Sequence, residues 1–177
     1  MSKTQKKLPL AVMVASALLA ALSIVFGKYF AIRVSDTMRF SFENLPILLA
    51  GMAFGPVTGV LVAVAADLIG CLMVGYTINP IITVGGAVVG LLGGALYRLL
   101  SKMPHLFRVT LTVMTAHLIG SVLIKTIGIV VFYHYPLWEW MLWRLFNYTV
   151  VGAAETVLLY IILKNRAIQS QIGVIRR

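Results

Sequence analysis

Apolar positions along the chain gather into six runs, at about 9–27, 44–55, 57–75, 80–100, 107–133 and 141–163. A membrane-crossing helix needs roughly 20 apolar residues. The length accommodates about six spans with short connections and no separate soluble domain. Prolines punctuate the pattern. Pro9, Pro46, Pro56, Pro80 and Pro104 mark run edges, and Pro136 falls in the loop before the last run. Proline lacks a backbone N–H and suits a helix start. "FGPVTG" (54–59) is the tight break between the second and third runs. The pattern predicts an all-α integral membrane protein with six transmembrane helices in a single membrane domain over residues 1–177.

The first loop reads "KYFAIRVSDTMRFSFENLP". "FAIRV" and "MRFSF" alternate in part and flank the turn-like "SDT". This is the pattern of a small β-hairpin over one face of the membrane, or of a plain interfacial loop.

Composition strengthens the membrane reading. The chain is 60% hydrophobic and 11% charged, with a mean hydropathy of +0.98. No soluble domain of this size hides so much apolar surface. The net charge of +10 raises nucleic acid as a partner, but its placement argues against one. Lys3, Lys6 and Lys7 precede the first run, Arg98, Lys102 and Arg108 share one mid-chain loop, and Lys164, Arg166, Arg176 and Arg177 form the tail. These are the positions of cytoplasmic anchors, and no aromatic-interleaved basic patch accompanies them. With six crossings both termini are expected in the cytoplasm, and 28–43, 75–80 and 133–140 outside. The N-terminus resembles a signal peptide but lacks a convincing cleavage site, so it reads as a retained first helix. The single cysteine, Cys71, excludes an intrachain disulfide.

Small residues recur at four-residue spacing: Ala17 and Ala21, then Gly51, Gly55 and Gly59, then Gly86, Gly90 and Gly94. Such spacing lets helix backbones approach closely in lipid. For the glycines internal packing is the expected use.

Four ionisable residues lie within apolar runs: Asp67, Lys125, Arg144 and Glu155. Each costs at least ~2.5–3.5 kcal/mol on insertion scales. Lys125 precedes Tyr133 by eight residues, which puts it roughly 12 Å below the outer end of its helix. Trp140, Arg144, Tyr148, Val151 and Glu155 form a helical stripe with Asn147 beside it. His117, Ser121, Lys125 and Phe132 form another on the preceding helix. Two such stripes can face each other and line a cavity with two cations and several aromatic rings. The fork of an arginine matches a carboxylate, Asn147 offers donor and acceptor, and the rings of Trp138, Trp143 and Tyr148 offer flat walls. A ligand matching this set is a flat heteroaromatic bearing carboxylates. The competing readings are snorkelling of Arg144 to headgroups with the tryptophans as an interfacial belt, and a hydrogen-bonded core role for His117. Asp67 and Glu155 either pair internally or meet an amino-pyrimidine edge. "GYTINP" adds Tyr76 and Asn79 at the outer mouth, where Asn79 also reads as a helix cap. No phosphate-binding loop, H-E-x-x-H, paired-cysteine site or G-x-S-x-G occurs, so neither an enzyme nor a metal site is expected.

"MRFSFENLPILLAGMAFGPVTGVLVAVAADLIG" (38–70) resembles the signature stretch of S components of energy-coupling factor (ECF) vitamin transporters, and "RFSFENLPI" looks most like the folate-specific branch. The resemblance extends over nearly the whole chain. It implies a cell-membrane protein without a cofactor that captures folate or a related anionic vitamin at the outer face. Its partners would be a transmembrane T component and two ATPase subunits, which use the ATP. Docking onto the T component would use Ala17 and Ala21. Ligand contacts would come from Tyr76, Asn79, Lys125, Trp138, Trp143, Arg144, Asn147 and Tyr148, with a structural role for Asp67; complementarity to a carboxylated, flat ligand adds Arg39 for a carboxylate and Glu155 for the ring edge. The glycine-rich "GGAVVGLLGG" departs from the family's expected serine, threonine and aromatic residues. Two cations oppose a cationic vitamin such as thiamin and are superfluous for uncharged riboflavin. An S component for another vitamin, or a self-sufficient proton-coupled transporter using Asp67 or Glu155, is the alternative.

Overall fold

The structure is a computed structural model that describes residues 9–33 and 39–175. The "SDT" turn and the terminal basic residues Lys3, Lys6, Lys7, Arg176 and Arg177 lie outside the described residues. Helix α1 (Leu10–Lys28) is followed by β1 (Ile32–Arg33), β2 (Arg39–Phe40), α2 (Asn44–Phe54), α3 (Pro56–Val74) and α4 (Pro80–Leu99). A continuous helical rod then runs from His105 to Tyr133. It comprises α5 (His105–Ala116), a π-helical stretch (His117–Ile124) and α6 (Lys125–Tyr133). Helices α7 (Leu137–Lys164) and α8 (Arg166–Ile175) complete the chain.

Among the described residues five helices are long and apolar enough to cross a membrane: α1, α3, α4, the α5–α6 rod and α7. Their outward sides carry exposed Leu18, Leu61, Leu72, Val131, Phe146 and Ile161, the surface that hydrocarbon requires in place of water. The run at 44–55 differs from expectation. It folds as an 11-residue helix, about 16 Å long at the α-helical rise and thus about half of a bilayer core. Gly55 stops it, with φ 113° that a side chain would oppose, and Pro56 starts α3 at once. Gly55 itself is buried beside the Arg98 guanidinium.

β1 and β2 pair antiparallel through Ile32 with Phe40 and Arg33 with Arg39. The ends of α1, α3 and the α5–α6 rod and the starts of α2, α4 and α7 gather at this β-ladder end. Ser23 meets Glu43, Asp67 meets Thr83, Asn79 meets Gly128 and Arg39 meets Asn147.

The core forms where α2, α3 and α4 cross. A Cβ added at Gly51 would fall 2.6 Å from the Gly90 carbonyl oxygen, and one at Gly94 would fall 2.8 Å from the Gly51 carbonyl oxygen. The fourth helix is glycine-rich because backbone packs on backbone along it. Around this crossing pack Leu48, Val62, Val89, Val109, Val113 and Leu159, none more than 2% exposed. At the far end α8 lies against this core through Ile172, and the Gln169 side chain donates to the Leu163 carbonyl.

Candidate functional site

Two groups of polar side chains sit at the β-ladder end. The first centres on Glu43, immediately before α2. Its backbone is fixed: Ser23 Oγ donates to its carbonyl at 2.7 Å, and its N–H donates to Ser41 Oγ at 3.1 Å. Its carboxylate takes Lys125 Nζ at 3.0 Å on one oxygen and Arg39 at 3.8 Å on the other. Burial pushes the Glu43 carboxyl up, but the Lys125 ammonium and the Arg39 guanidinium outweigh it and hold the pKa down at about 2.

Lys125 is only 7% exposed. Its aliphatic stem runs along α4, where a Cβ at Gly85 would fall 2.6 Å from Lys125 Cγ. The glycine makes the passage. Asn44, fully buried, accepts weakly from Lys125 at 3.5 Å and donates to Ser121 Oγ at 3.4 Å. Beside the ion pair lies a cavity of about 40 Å³ whose polar lining comes from Ser23, Lys28, Glu43, Asp67 and Lys125.

The second group is on α7. Arg144 donates to the Ser121 carbonyl at 3.1 and 2.8 Å through Nε and Nη2, and from Nη2 to the Tyr148 hydroxyl at 3.3 Å. All these partners are neutral, and no carboxylate pairs with Arg144 among the described residues. Asn147 Nδ2 donates to the Arg39 carbonyl at 2.9 Å, and Phe40 meets Trp143 edge-on at 5.6 Å. The β-ladder is thereby held down on α7. Deeper along α7, Tyr148 stacks on His117 at 5.0 Å, and His117 Nε2 lies 2.6 Å from Glu155 Oε2. Beside them an apolar groove of about 170 Å³ runs between Met114, Leu118, Val122 and Leu145.

The two polar stripes expected to face each other do so in part. His117 and Ser121 meet α7, whereas Lys125 points to α2 and α4. The π-helical stretch explains the difference. Each i→i+5 turn holds more residues than an α-turn, so positions past it are rotated back relative to an unbroken α-helix. Lys125 is the first residue after that stretch.

Arg39, Lys125, Trp143, Arg144, Asn147 and Tyr148 come together around Ser121 and the ladder. Four expected ligand residues lie outside this group. Asn79 caps α4: its Oδ1 accepts from Ile81 N–H at 3.0 Å and Ile82 N–H at 3.4 Å, and its Nδ2 donates to the Gly128 carbonyl at 2.8 Å. Its acceptor oxygen is thereby fully used, and one of its two N–H donors is committed to α6. Glu155, fully buried, is held by His117. Tyr76 is exposed, with the Lys28 ammonium 5.1 Å from its ring centre, and Trp138 is 72% exposed. Asp67 accepts from the Thr83 hydroxyl at 2.5 Å, tying α3 to α4. Ala17 and Ala21 lie exposed on α1 beside Met13, Val14 and Leu18.

Sequence reading passed over Glu43, Asn44 and Phe40. The available signal was charge balance, since a lysine buried in an apolar run needs an acid.

Comparison with known proteins places this geometry. No curated protein matches the chain. Among solved structures, the crystal structure of FolT bound with folic acid superposes with a TM-score of 0.70 at 23% identity, covering 85% of this chain and 91% of that one. The crystal structure of the S-component for biotin from an ECF-type ABC transporter superposes with a TM-score of 0.66 at 16% identity over 100% of both chains. At these identities the likeness is one of fold. A family model described as ECF transporter, substrate-specific component, matches residues 11–171. The chain is therefore a multi-pass membrane protein that belongs to the substrate-specific component family of ECF transporters.

Proposed function

We propose that the chain captures folate, or a related anionic vitamin, at the outer face of the cell membrane for ATP-driven uptake by a T component and two ATPase subunits. One observation carries the reading. The Arg144 guanidinium is part-buried at the β-ladder end, and its partners among the described residues are all neutral. A cation kept in such a place retains its capacity for a carboxylate. The ladder end faces outward and both termini are cytoplasmic, which puts Arg98, Lys102, Arg108 and Lys164 on the inner side.

The glutamate tail of folate meets Arg144, Arg39 and Lys125. Its flat pterin lies against Trp143 and Tyr148, with Asn147 near its edge. The family supports the vitamin class, and the folic acid bound to FolT supports the particular vitamin. Biotin is the second reading. Lys125 already has Glu43 as its counter-ion, so Arg144, which has no carboxylate partner among the described residues, is the cation that would take the one carboxylate of biotin.

All three tryptophans, Trp138, Trp140 and Trp143, lie near the start of α7. Titrating the detergent-purified chain with folate is expected to quench intrinsic fluorescence saturably, while thiamin and riboflavin leave it unchanged. Saturable binding of biotin with no response to folate would transfer the assignment to biotin. No saturable response to either would end the anionic-vitamin reading.

The exposed Ala17 and Ala21 face of α1 is the docking surface for the T component. Small residues let a partner helix approach closely in lipid, where packing rather than water exclusion drives association. Ala17→Trp is expected to leave folate binding by the isolated chain intact and to abolish partner-dependent uptake in proteoliposomes. Uptake at the wild-type rate would remove α1 from the interface.

A further inference from the structure

We propose that Glu43 is a built-in stand-in for the ligand's carboxylate: it neutralises Lys125 while the site is empty and cedes the ammonium to an anionic ligand. This rests on the reading above that the ligand is anionic and enters at the β-ladder end. Lys125 is 7% exposed, so its ammonium cannot fall back on water and needs an anion in every state. The anion it has comes from a side chain that is 23% exposed. This pair thus has one deep member and one at the mouth. By contrast the His117–Glu155 pair, deeper along α7, is buried on both sides at 2% and 0% exposure.

The local geometry lets the carboxylate move while the chain stays still. The Glu43 backbone is pinned by Ser23 and Ser41, so only its side-chain torsions are free. Those torsions open onto the cavity of about 40 Å³ that Lys28 also lines. Arg39 already holds the second carboxylate oxygen at 3.8 Å. A displaced Glu43 is therefore not stranded, because Arg39 stays beside it and Lys28 borders the space it moves into. The Lys125 ammonium exchanges one carboxylate for another and stays neutralised throughout. A neutral molecule of the same shape cannot displace the acid, since it would leave the ammonium bare. Glu43 thus sets a charge requirement that the cations alone would not.

The test is a double-mutant cycle on the full chain in detergent, read by equilibrium titration with folate and with pterin, which lacks carboxylates. Glu43→Gln removes the competitor, and folate is expected to bind about tenfold tighter or more, the factor that a hydrogen bond to a charged group confers. Pterin binding should not change. Glu43→Asp shortens the reach to Lys125 and is expected to give a smaller gain. It carries the same prediction if Glu43→Gln fails to fold. In Lys125→Met the added Glu43→Gln change should give no gain, because the two act on one contact; this doubly neutral chain leaves neither member of the pair as an unpaired ion.

Unchanged or weaker folate binding in Glu43→Gln overturns the proposal, as does a gain that persists in the Lys125→Met background. If the wild-type chain binds no folate, the folate assignment falls by itself. The four proteins of the cycle and Glu43→Asp, titrated with biotin, whose carboxylate makes the same demand, then decide the role of Glu43.

Discussion

Gly90→Leu is expected to yield no folded chain: aggregation in detergent on size exclusion, with no cooperative thermal transition. The reason is the crossing of α2, α3 and α4. A Cβ at Gly90 would land on the carbonyl group of Gly59 and 2.9 Å from the Val60 nitrogen, and one at Gly59 would land on the Gly90 carbonyl. Each obstacle is backbone. No rotamer change clears it, so the helices must separate. Overpacking a membrane core against flexible side chains costs up to about 3 kcal/mol, and separating three backbones forfeits the close packing that holds helices together in lipid. Gly90→Ala is expected to fold poorly for the same reason. Gly173→Leu is the control, because nothing lies within 4 Å of a Cβ there; it should elute and melt like the wild type. A Gly90→Leu chain with an unchanged melting temperature would show that the crossing does not organise the fold.

The glycines illustrate what was legible in the sequence. Spacing at Gly51, Gly55 and Gly59 and at Gly86, Gly90 and Gly94 announced close backbone packing, and the structure realises it between Gly51, Gly59, Gly90 and Gly94. The same glycines seemed at odds with a ligand-lined fourth helix, because sequence alone does not say which neighbour a small residue admits. Gly85 admits the stem of Lys125. Proline positions were equally plain at Pro56 and Pro80, each the first residue of a helix. The length of α2 was not legible: an apolar run reads the same whether it crosses a bilayer or stops halfway.

The site was legible by residue type and less so by direction. Extrapolating an α-helical period from His117 through Ser121 aimed Lys125 at α7. The π-helical stretch has no visible signature in "HLIGSVLI", and it turns Lys125 toward Glu43 instead. Partnership across distance was hidden for the same reason. Glu43 and Lys125 are 82 residues apart, and nothing local in "SFENLP" marks the acid as a counter-ion. Asn79 was readable as a cap from its place before Pro80, and its hydrogen bonds show that role.

Arg144→Ala is expected to weaken folate binding by about a hundredfold while pterin binding holds. The size follows from charge-assisted hydrogen bonds. Each is worth about 1.5–3 kcal/mol when the acceptor is a carboxylate, and an end-on bidentate contact combines two once Nη2 exchanges the Tyr148 hydroxyl for the ligand and acts beside Nη1. Even a total of about 2.7 kcal/mol gives that factor. The protein side of the contact is already arranged. Arg144 is oriented by the Ser121 carbonyl and backed by the Tyr148 ring at 5.1 Å, so little ordering remains to be done on binding. A cation whose partners among the described residues are neutral also gives a control at the far end of the molecule. Arg108 donates to the Tyr97 carbonyl at 2.5 Å and lies over the Tyr97 ring at 3.6 Å, a similar environment on the proposed cytoplasmic side. Arg108→Ala should leave the affinity for both ligands as it was. Equal losses of folate and pterin in Arg144→Ala would mean that the side chain braces the π-helical stretch through Ser121 and does not hold the tail. Equal losses in Arg144→Ala and Arg108→Ala would mean that overall positive charge, rather than a site at the ladder end, draws the vitamin in.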